Sequence, residues 1–218
     1  MPHPSQRHLR APFLKLLKAW PVVALLGPRQ SGKSTFLKDL VWKSGTFTLL
    51  SLDSAAVRRR AEESPELLII EVAKYPLVID EVHKAPALFD EIKAIVDARR
   101  IPGRFVISGS VQFSKKTGIR ESLTGRAATV RMDPMTLLET GPKKVTLASI
   151  NEYLQLGGMP GVCFFRNKNM RDGYWEQWLD TTCERDLKMF STGRHETTPK
   201  QKFILFSNPH SDSWLSTF

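Results

Sequence analysis

Cysteine is nearly absent: Cys163 and Cys183 are the only two in 218 residues. That number excludes a disulfide scaffold and a cysteine-rich zinc site. Two reduced thiols in a cytoplasmic protein are the expectation. Long apolar runs are missing too. The longest uninterrupted one, at 22–26, falls far short of the about 20 residues that a bilayer-spanning helix needs, so no membrane span is expected. The N-terminus is basic, yet no apolar stretch or small-residue cleavage site follows it, which predicts no secretory leader. No internal repeat is visible. Acidic side chains are in short supply, with 22 Asp and Glu against 32 Lys and Arg, a net charge of +10.

The missing acids are not spread evenly. Residues 1–50 hold eight Lys and Arg against one acid, and 101–150 hold eight against three. Residues 51–100 have eight against ten, and 151–218 are balanced at eight each. A basic field of this kind draws a polyanion, either a nucleotide or a nucleic acid. Charge alone does not separate the two, and a solvated basic surface fits equally well.

What the chain does have is alternation. A short, β-branched apolar run at 21–26 ends in Gly27–Pro28 and reads as a buried strand. A helix is expected over 34–43, stopped near Gly45, then a second strand over 46–52. Asp53 and Ser54 are placed to cap a helix running through Arg58 to Glu63, and 66–73 continues in helical pattern. Residues 77–79 form a third strand. Pro86 opens a helix to Arg99 with one apolar stripe of Leu88, Phe89, Ile92, Ile95 and Val96. A fourth strand over 104–107, a helix over 114–123 and a fifth strand over 127–132 complete the series. Strands alternating with helices predict an α/β fold with a parallel sheet covered on both faces. After Pro134 the pattern changes. A helix at 149–156, a sharp turn at 157–161 (GGMPG) and a long helical stretch at 169–190 follow. Residues 191–218 are polar and aperiodic, and no structure is assigned to them.

The first strand leads into Gly27, Pro28, Arg29, Gln30, Ser31, Gly32, Lys33 and Ser34, which match G-x-x-x-x-G-K-[ST] at every fixed position. The loop must curl so that its backbone N–H groups point at phosphate oxygens, and glycine permits the backbone angles. The following helix adds partial positive charge at its N-terminus. Lys33 is expected on the β- and γ-phosphates and the Ser34 hydroxyl on magnesium, with Thr35 closing the phosphate-binding run. The third strand delivers Asp80 to its C-terminal tip, where ligands bind in open α/β sheets. Asp80 is thus a second magnesium residue, and Glu81 beside it a general base toward water. Ser108 and Ser110, after the fourth strand, stand where a polar side chain reads the γ-phosphate; an ordinary turn explains them equally well. Asp53 reads as a helix cap. Arg126, just before the fifth strand, is either an arginine finger toward a neighbouring subunit or a surface ion pair, with Arg120 a weaker candidate.

Taken together these residues resemble a prokaryotic AAA+-like ATPase family that pairs a P-loop domain with a C-terminal domain of unknown function. The resemblance rests on GPRQSGKS at 27–34, LVIDEVHKAPALFD at 77–90, RFVISGS at 104–110, ESLTGR at 121–126, GGMPG at 157–161 and ERD at 184–186. It implies a five-stranded parallel sheet of the P-loop NTPase (AAA+/ASCE) type in the order 5-1-4-3-2. An ATPase core over 1–134 and a small helical or winged-helix-like segment over 135–190 would then follow. It also implies magnesium on Ser34 and Asp80, catalysis by Glu81 and a sensor at Ser108 or Ser110. Members usually continue past ERD into a full second domain. The 191–218 tail does not resemble its beginning, so a truncated or frame-shifted end is expected.

The first expectation is therefore a cytoplasmic, magnesium-dependent ATPase that couples hydrolysis to a conformational change in a partner. The partner, engaged through the missing C-terminal domain, is DNA or protein, and a homo-oligomer is a further expectation. The second is an ATP-binding switch module with little turnover. A small-molecule kinase is a weaker third, because Asp80 and Glu81 followed by Ser108, Gly109 and Ser110 point to water activation.

Overall fold

The computed structural model describes residues 7–45, 47–72, 76–110, 123–141, 144–165 and 167–182. Of the helix expected over 114–123 only Leu123 is among these residues, and of the stretch expected over 169–190 only 169–182; Arg120, the ERD motif, Cys183 and the 191–218 tail lie outside them. Five parallel strands run β1 (Val22–Leu26), β2 (Thr48–Ser51), β3 (Leu77–Asp80), β4 (Phe105–Gly109) and β5 (Ala127–Arg131). They lie in the order β2-β3-β4-β1-β5, with β1 hydrogen-bonded between β4 and β5. This is the 5-1-4-3-2 order that the family resemblance implies. β4 runs two residues further than expected, so Ser108 sits inside the strand rather than after it.

Why these runs form a two-faced sheet follows from the period of two along a strand. Val22, Ala24 and Leu26 point to one face, with Leu77, Ile79, Phe105 and Ile107 from the neighbouring strands. Val23, Leu25, Val78, Val106 and Val130 point to the other. On the first face α3 (Ala55–Glu63), α4 (Pro65–Val72) and α5 (Ala87–Ala98) contribute Ala61, Leu68, Ile69, Leu88, Phe89, Ile92 and Val96. On the second, α1 (Arg10–Leu17) and α2 (Lys33–Ser44) contribute Phe13, Leu17, Phe36, Leu37 and Leu40. Burial on both faces explains why β1, β3 and β4 read as continuous apolar runs instead of alternating ones.

Helix α1 has no counterpart in the sequence reading. Phe13 and Leu17, four residues apart and both buried, are the signal that marks it. Gly45 ends α2 in the left-handed conformation (φ 64°), as expected of a glycine C-cap. Beyond β5, Thr146 and Ser149 cap α6 (Leu147–Leu156) reciprocally: each side chain accepts the other's backbone N–H, at 3.1 and 2.9 Å. The helix starts two residues earlier than the sequence pattern indicates.

Chain contacts divide the protein into two compact units, Met1–Cys163 and Phe164–Phe218. In the second, α7 (Lys168–Thr181) is capped by the Asn167 side chain. It carries Tyr174, Trp175 and Trp178, whose rings meet edge to face at 5.9 and 5.7 Å. No helix among the described residues is long and apolar enough to cross a membrane.

Candidate nucleotide site

The C-terminal tips of β1, β4 and β3 lie side by side, because Leu25 is level with Ser108 and Ile79 with Ile107. The loop 27–32 leaves β1 at this edge and returns as α2. Its two fixed glycines serve different needs. Gly27 is not in the left-handed region, but a Cβ there would stand 2.1 Å from the Met132 carbonyl oxygen, so the chain after β5 leaves no room for a side chain. Gly32 has φ 94° and forms the N-cap of α2 without a capping side chain. The conformational argument therefore applies to Gly32, and close approach explains Gly27. Gln30, at φ 61°, adopts the left-handed region without being glycine.

Lys33 is 5% exposed, and its ammonium donates to the carbonyl oxygens of Gly27 (3.0 Å) and Pro28 (2.7 Å). Burial pushes its pKa below the ordinary lysine value. The charges of Glu81 and Asp80 oppose that shift, and Arg29 adds to it. Ser31 is fully buried and its hydroxyl donates to the Pro28 carbonyl at 2.9 Å, closing the loop on itself. Ser34 is half-buried in the first turn of α2, while Thr35 and the side chains of Arg29 and Gln30 are exposed. An exposed Thr35 sets it apart from the enclosed part of the loop.

Asp80 ends β3 and is 3% exposed; Ser108, on the adjacent β4, is fully buried. The Ser108 hydroxyl donates to Asp80 Oδ1 and accepts the Glu81 backbone N–H at 3.1 Å. Glu81 itself is in the left-handed region (φ 59°, ψ 42°) and opens a 3-10 turn, Val82–Lys84. For a non-glycine residue this conformation is costly, and such strain collects at functional sites. Its carboxylate lies 3.2 Å from His83 Nδ1. Burial lowers the His83 pKa, Glu81 pulls it back up, and Lys84, Arg29 and Lys33 press it down again. The field at His83 thus comes from the loop, the β3 tip and the turn together.

The structure brings Lys33, Asp80, Glu81 and Ser108 into one cluster. Ser110 lies just past β4, half-buried. Asp53 does not cap α3. Ser54 holds the N-cap position with no side-chain cap bond, and Asp53 pairs with Lys84 instead. That hydrogen bond, with burial opposing it, holds the Asp53 carboxyl below its usual range. Arg126 precedes β5, at the opposite edge of the sheet from the loop. It grips Asp97 of α5 with two parallel bonds, at 2.6 and 2.8 Å, and donates to the Thr124 carbonyl at 3.1 Å. Sequence reading missed two further parts: His83, and the Arg7–Glu139 pair behind the loop. A histidine two places after the presumed base was a readable signal for the first. Nothing in the sequence joins positions 7 and 139.

The donor set suits a magnesium nucleotide. A buried ammonium sits at a helix N-terminus, and hard oxygen donors are offered by the Ser34 hydroxyl and the Asp80 carboxylate. A five-stranded parallel sheet with this loop at its C-terminal edge defines the P-loop NTPase class. Within that class the chain belongs to the AAA domain family, whose model matches residues 19–141. That membership carries an ATPase-like, nucleotide-binding function. Two curated relatives, uncharacterized proteins of Mycobacterium bovis and Mycobacterium tuberculosis, are each 28% identical over 207 residues. The match covers 94% of this chain and 45% of each relative, so the chain spans about half their length. Among solved structures, the Walker-type ATPase of Pyrococcus abyssi superposes with a TM-score of 0.51 at 15% identity, covering 93% of this chain and 76% of that one. At that identity the likeness is one of fold.

Proposed function

We propose that the chain is a magnesium-dependent ATPase of the AAA+ type that turns hydrolysis into a conformational change in a partner. One observation carries this reading: the buried Ser108 hydroxyl ties the Asp80 carboxylate to the Glu81 backbone at the strand tips, beside the Lys33 loop. A bare phosphate-binding loop has no need of such a link. In a hydrolase it has a use, because it fixes the backbone from which the presumed base projects relative to the presumed metal carboxylate. In this reading the loop amides and Lys33 bind the β- and γ-phosphates. Ser34 and Asp80 hold magnesium, which when bound neutralises charge on the phosphates. Glu81 takes a proton from the attacking water. Ser108 holds Asp80 and Glu81 in register and, touching both, is the better sensor candidate than Ser110. In this reading the basic 1–50 and 101–150 segments fit a polyanionic partner, DNA among them, and assembly into a homo-oligomer is what would let Arg126, once released from Asp97, reach a neighbour's nucleotide.

The test is calorimetry of ATP with magnesium, followed by steady-state phosphate release with and without DNA. Lys33→Ala should reduce ATP affinity by at least about a hundredfold, since it removes a charge paired with phosphate. Unchanged affinity would sink the assignment. A second reading, a switch that binds ATP and barely turns over, is favoured by the contact between Glu81 and His83, which occupies the base. Normal binding with negligible phosphate release would establish it.

A further inference from the structure

The guanidinium of Arg7 lies behind the phosphate loop, ahead of α1, in a buried junction of three chain segments. Its Nη1 donates to the Ser31 carbonyl at 3.1 Å, and Nη2 donates to the Asp133 carbonyl just after β5. Its Nε faces Glu139 Oε1 at 3.4 Å, and the two side chains are only 10% and 4% exposed. Glu139 is held in turn by the His8 amide on Oε1 (2.6 Å) and the Thr136 amide on Oε2 (2.9 Å). A buried ion pair of this kind is weak evidence of stabilisation in itself. This one is notable for what its free donor holds. The Ser31 carbonyl belongs to the peptide that joins Ser31 to Gly32, inside the loop. In a trans peptide the C=O and the next N–H point in opposite directions. Fixing the Ser31 oxygen toward Arg7 therefore aims the Gly32 N–H away from Arg7. Gly32 has no side chain of its own to resist rotation of that peptide. Its surroundings on this side are Arg7, Met132 and Pro160, all within 3.8 Å of where a Cβ would stand.

We propose that Arg7 is a positioning residue for phosphate binding: anchored by Glu139, it sets the Ser31–Gly32 peptide so that the Gly32 N–H faces the phosphate side of the loop. The proposal rests on the nucleotide-binding reading above and adds a role for a residue outside the loop motif. It also makes the 132–141 segment part of the loop's support, because Asp133, Thr136 and Glu139 all come from it.

The test uses the full chain and calorimetry of ATP and ADP with magnesium. Arg7→Met combined with Glu139→Gln removes the contact without stranding a buried carboxylate. It should keep the wild-type fold by circular dichroism and lose about tenfold in affinity for both nucleotides, the scale of one hydrogen bond to a charged donor. In Arg7→Gly, at a temperature where its circular dichroism matches wild type without any additive, millimolar methylguanidinium should restore affinity and methylammonium should not; rescue of a variant that is already folded is a readout that a merely structural pair would not move. A folded double variant that binds ATP and ADP like wild type overturns the proposal. So does equal rescue by methylammonium, which would make charge alone sufficient. If the double variant fails to fold, Arg7→Lys decides instead: it keeps a charge against Glu139 but loses the fork, and wild-type affinity would again overturn the proposal. Wild-type protein that binds no nucleotide at all removes the underlying reading, and this proposal with it.

Discussion

Ser108 and Asp80 meet across adjacent strands, the serine hydroxyl donating to a carboxylate that is 3% exposed. The same hydroxyl accepts the Glu81 amide, so one side chain satisfies two groups that have little access to water. Replacing it leaves Asp80 short of a donor and the Glu81 N–H short of an acceptor. Leaving such groups unpaired costs about 1–3 kcal/mol. Ser108→Ala should therefore lower unfolding free energy by about 1–3 kcal/mol and reduce phosphate release, whereas Ser110→Ala should change neither appreciably. Denaturant titration and steady-state turnover of the two variants, side by side, check this. Equal effects at both positions would remove Ser108 from its assigned place.

Glu81 offers a separation of stability from chemistry. Its left-handed backbone (φ 59°) costs a non-glycine residue about 1–2 kcal/mol, and glycine escapes that cost at some expense in chain entropy. Glu81→Gly should thus be no less stable than wild type while losing hydrolysis. Glu81→Gln keeps the shape of the side chain but not its basicity, so it should bind ATP normally and release phosphate about 10²–10⁴ times more slowly. Thermal melts, calorimetry and phosphate release together are sufficient. A Glu81→Gln protein that turns over at the wild-type rate would mean that another group activates the water.

The pattern of what could be read beforehand follows from where each constraint acts. The central strands were legible because burial on both faces leaves only apolar residues in them, as in Val22–Leu26. The loop was legible because phosphate binding fixes residue types at fixed spacing. The strand order came with the family resemblance, not from the period of any segment. The length of β4 was not legible, since Ser108 and Gly109 look like turn residues and become strand only through pairing with Leu25 and Leu26. Asp53 followed local helix-cap logic, but a tertiary partner, Lys84, 31 positions on, took its carboxylate. The Arg7–Glu139 pair is of the same kind: only the folded chain brings those positions together.

That pair has a pH signature. Burial works to raise the Glu139 pKa. The Thr136 and His8 amides and the Arg7 charge outweigh it, so the carboxyl ends below its usual value of 4.5. A carboxyl with a depressed folded pKa binds fewer protons folded than unfolded. Its stabilising contribution is in full force above pH 4.5 and is lost as pH falls through the folded pKa. Glu139→Gln cannot titrate. The difference in stability between wild type and Glu139→Gln should therefore be constant from pH 7 to about 5 and shift against wild type on further acidification. Denaturant titrations at matched ionic strength measure it. A difference independent of pH down to 3 would mean that Glu139 has no depressed pKa.

Arg126 poses the remaining question, because its place in the fold rules on how it can act. It stands at the N-terminal end of β5, with five residues of strand, roughly 16 Å, separating it from the loop edge of the same chain. A catalytic Arg126 must then serve the γ-phosphate of a neighbouring subunit, and to do so it must leave Asp97. Two consequences follow. Turnover per subunit should rise with protein concentration, since fingers supplied in trans are worth about 10³–10⁵ in rate. Asp97→Asn, which weakens the grip on the guanidinium, should preserve or increase that turnover, while Arg126→Ala should bind ATP normally and lose the concentration dependence. Mixing Arg126→Ala with Glu81→Gln sharpens the test. A subunit with an intact Glu81 can receive Arg126 from a Glu81→Gln neighbour, so part of the activity should return in mixed assemblies. If co-assembly is demonstrated and no activity returns, or if wild-type turnover stays constant down to a verified monomer, Arg126 holds Asp97 for structure alone. In that case Asp97→Asn and Arg126→Ala should be equivalent, because each would do no more than break the same surface pair.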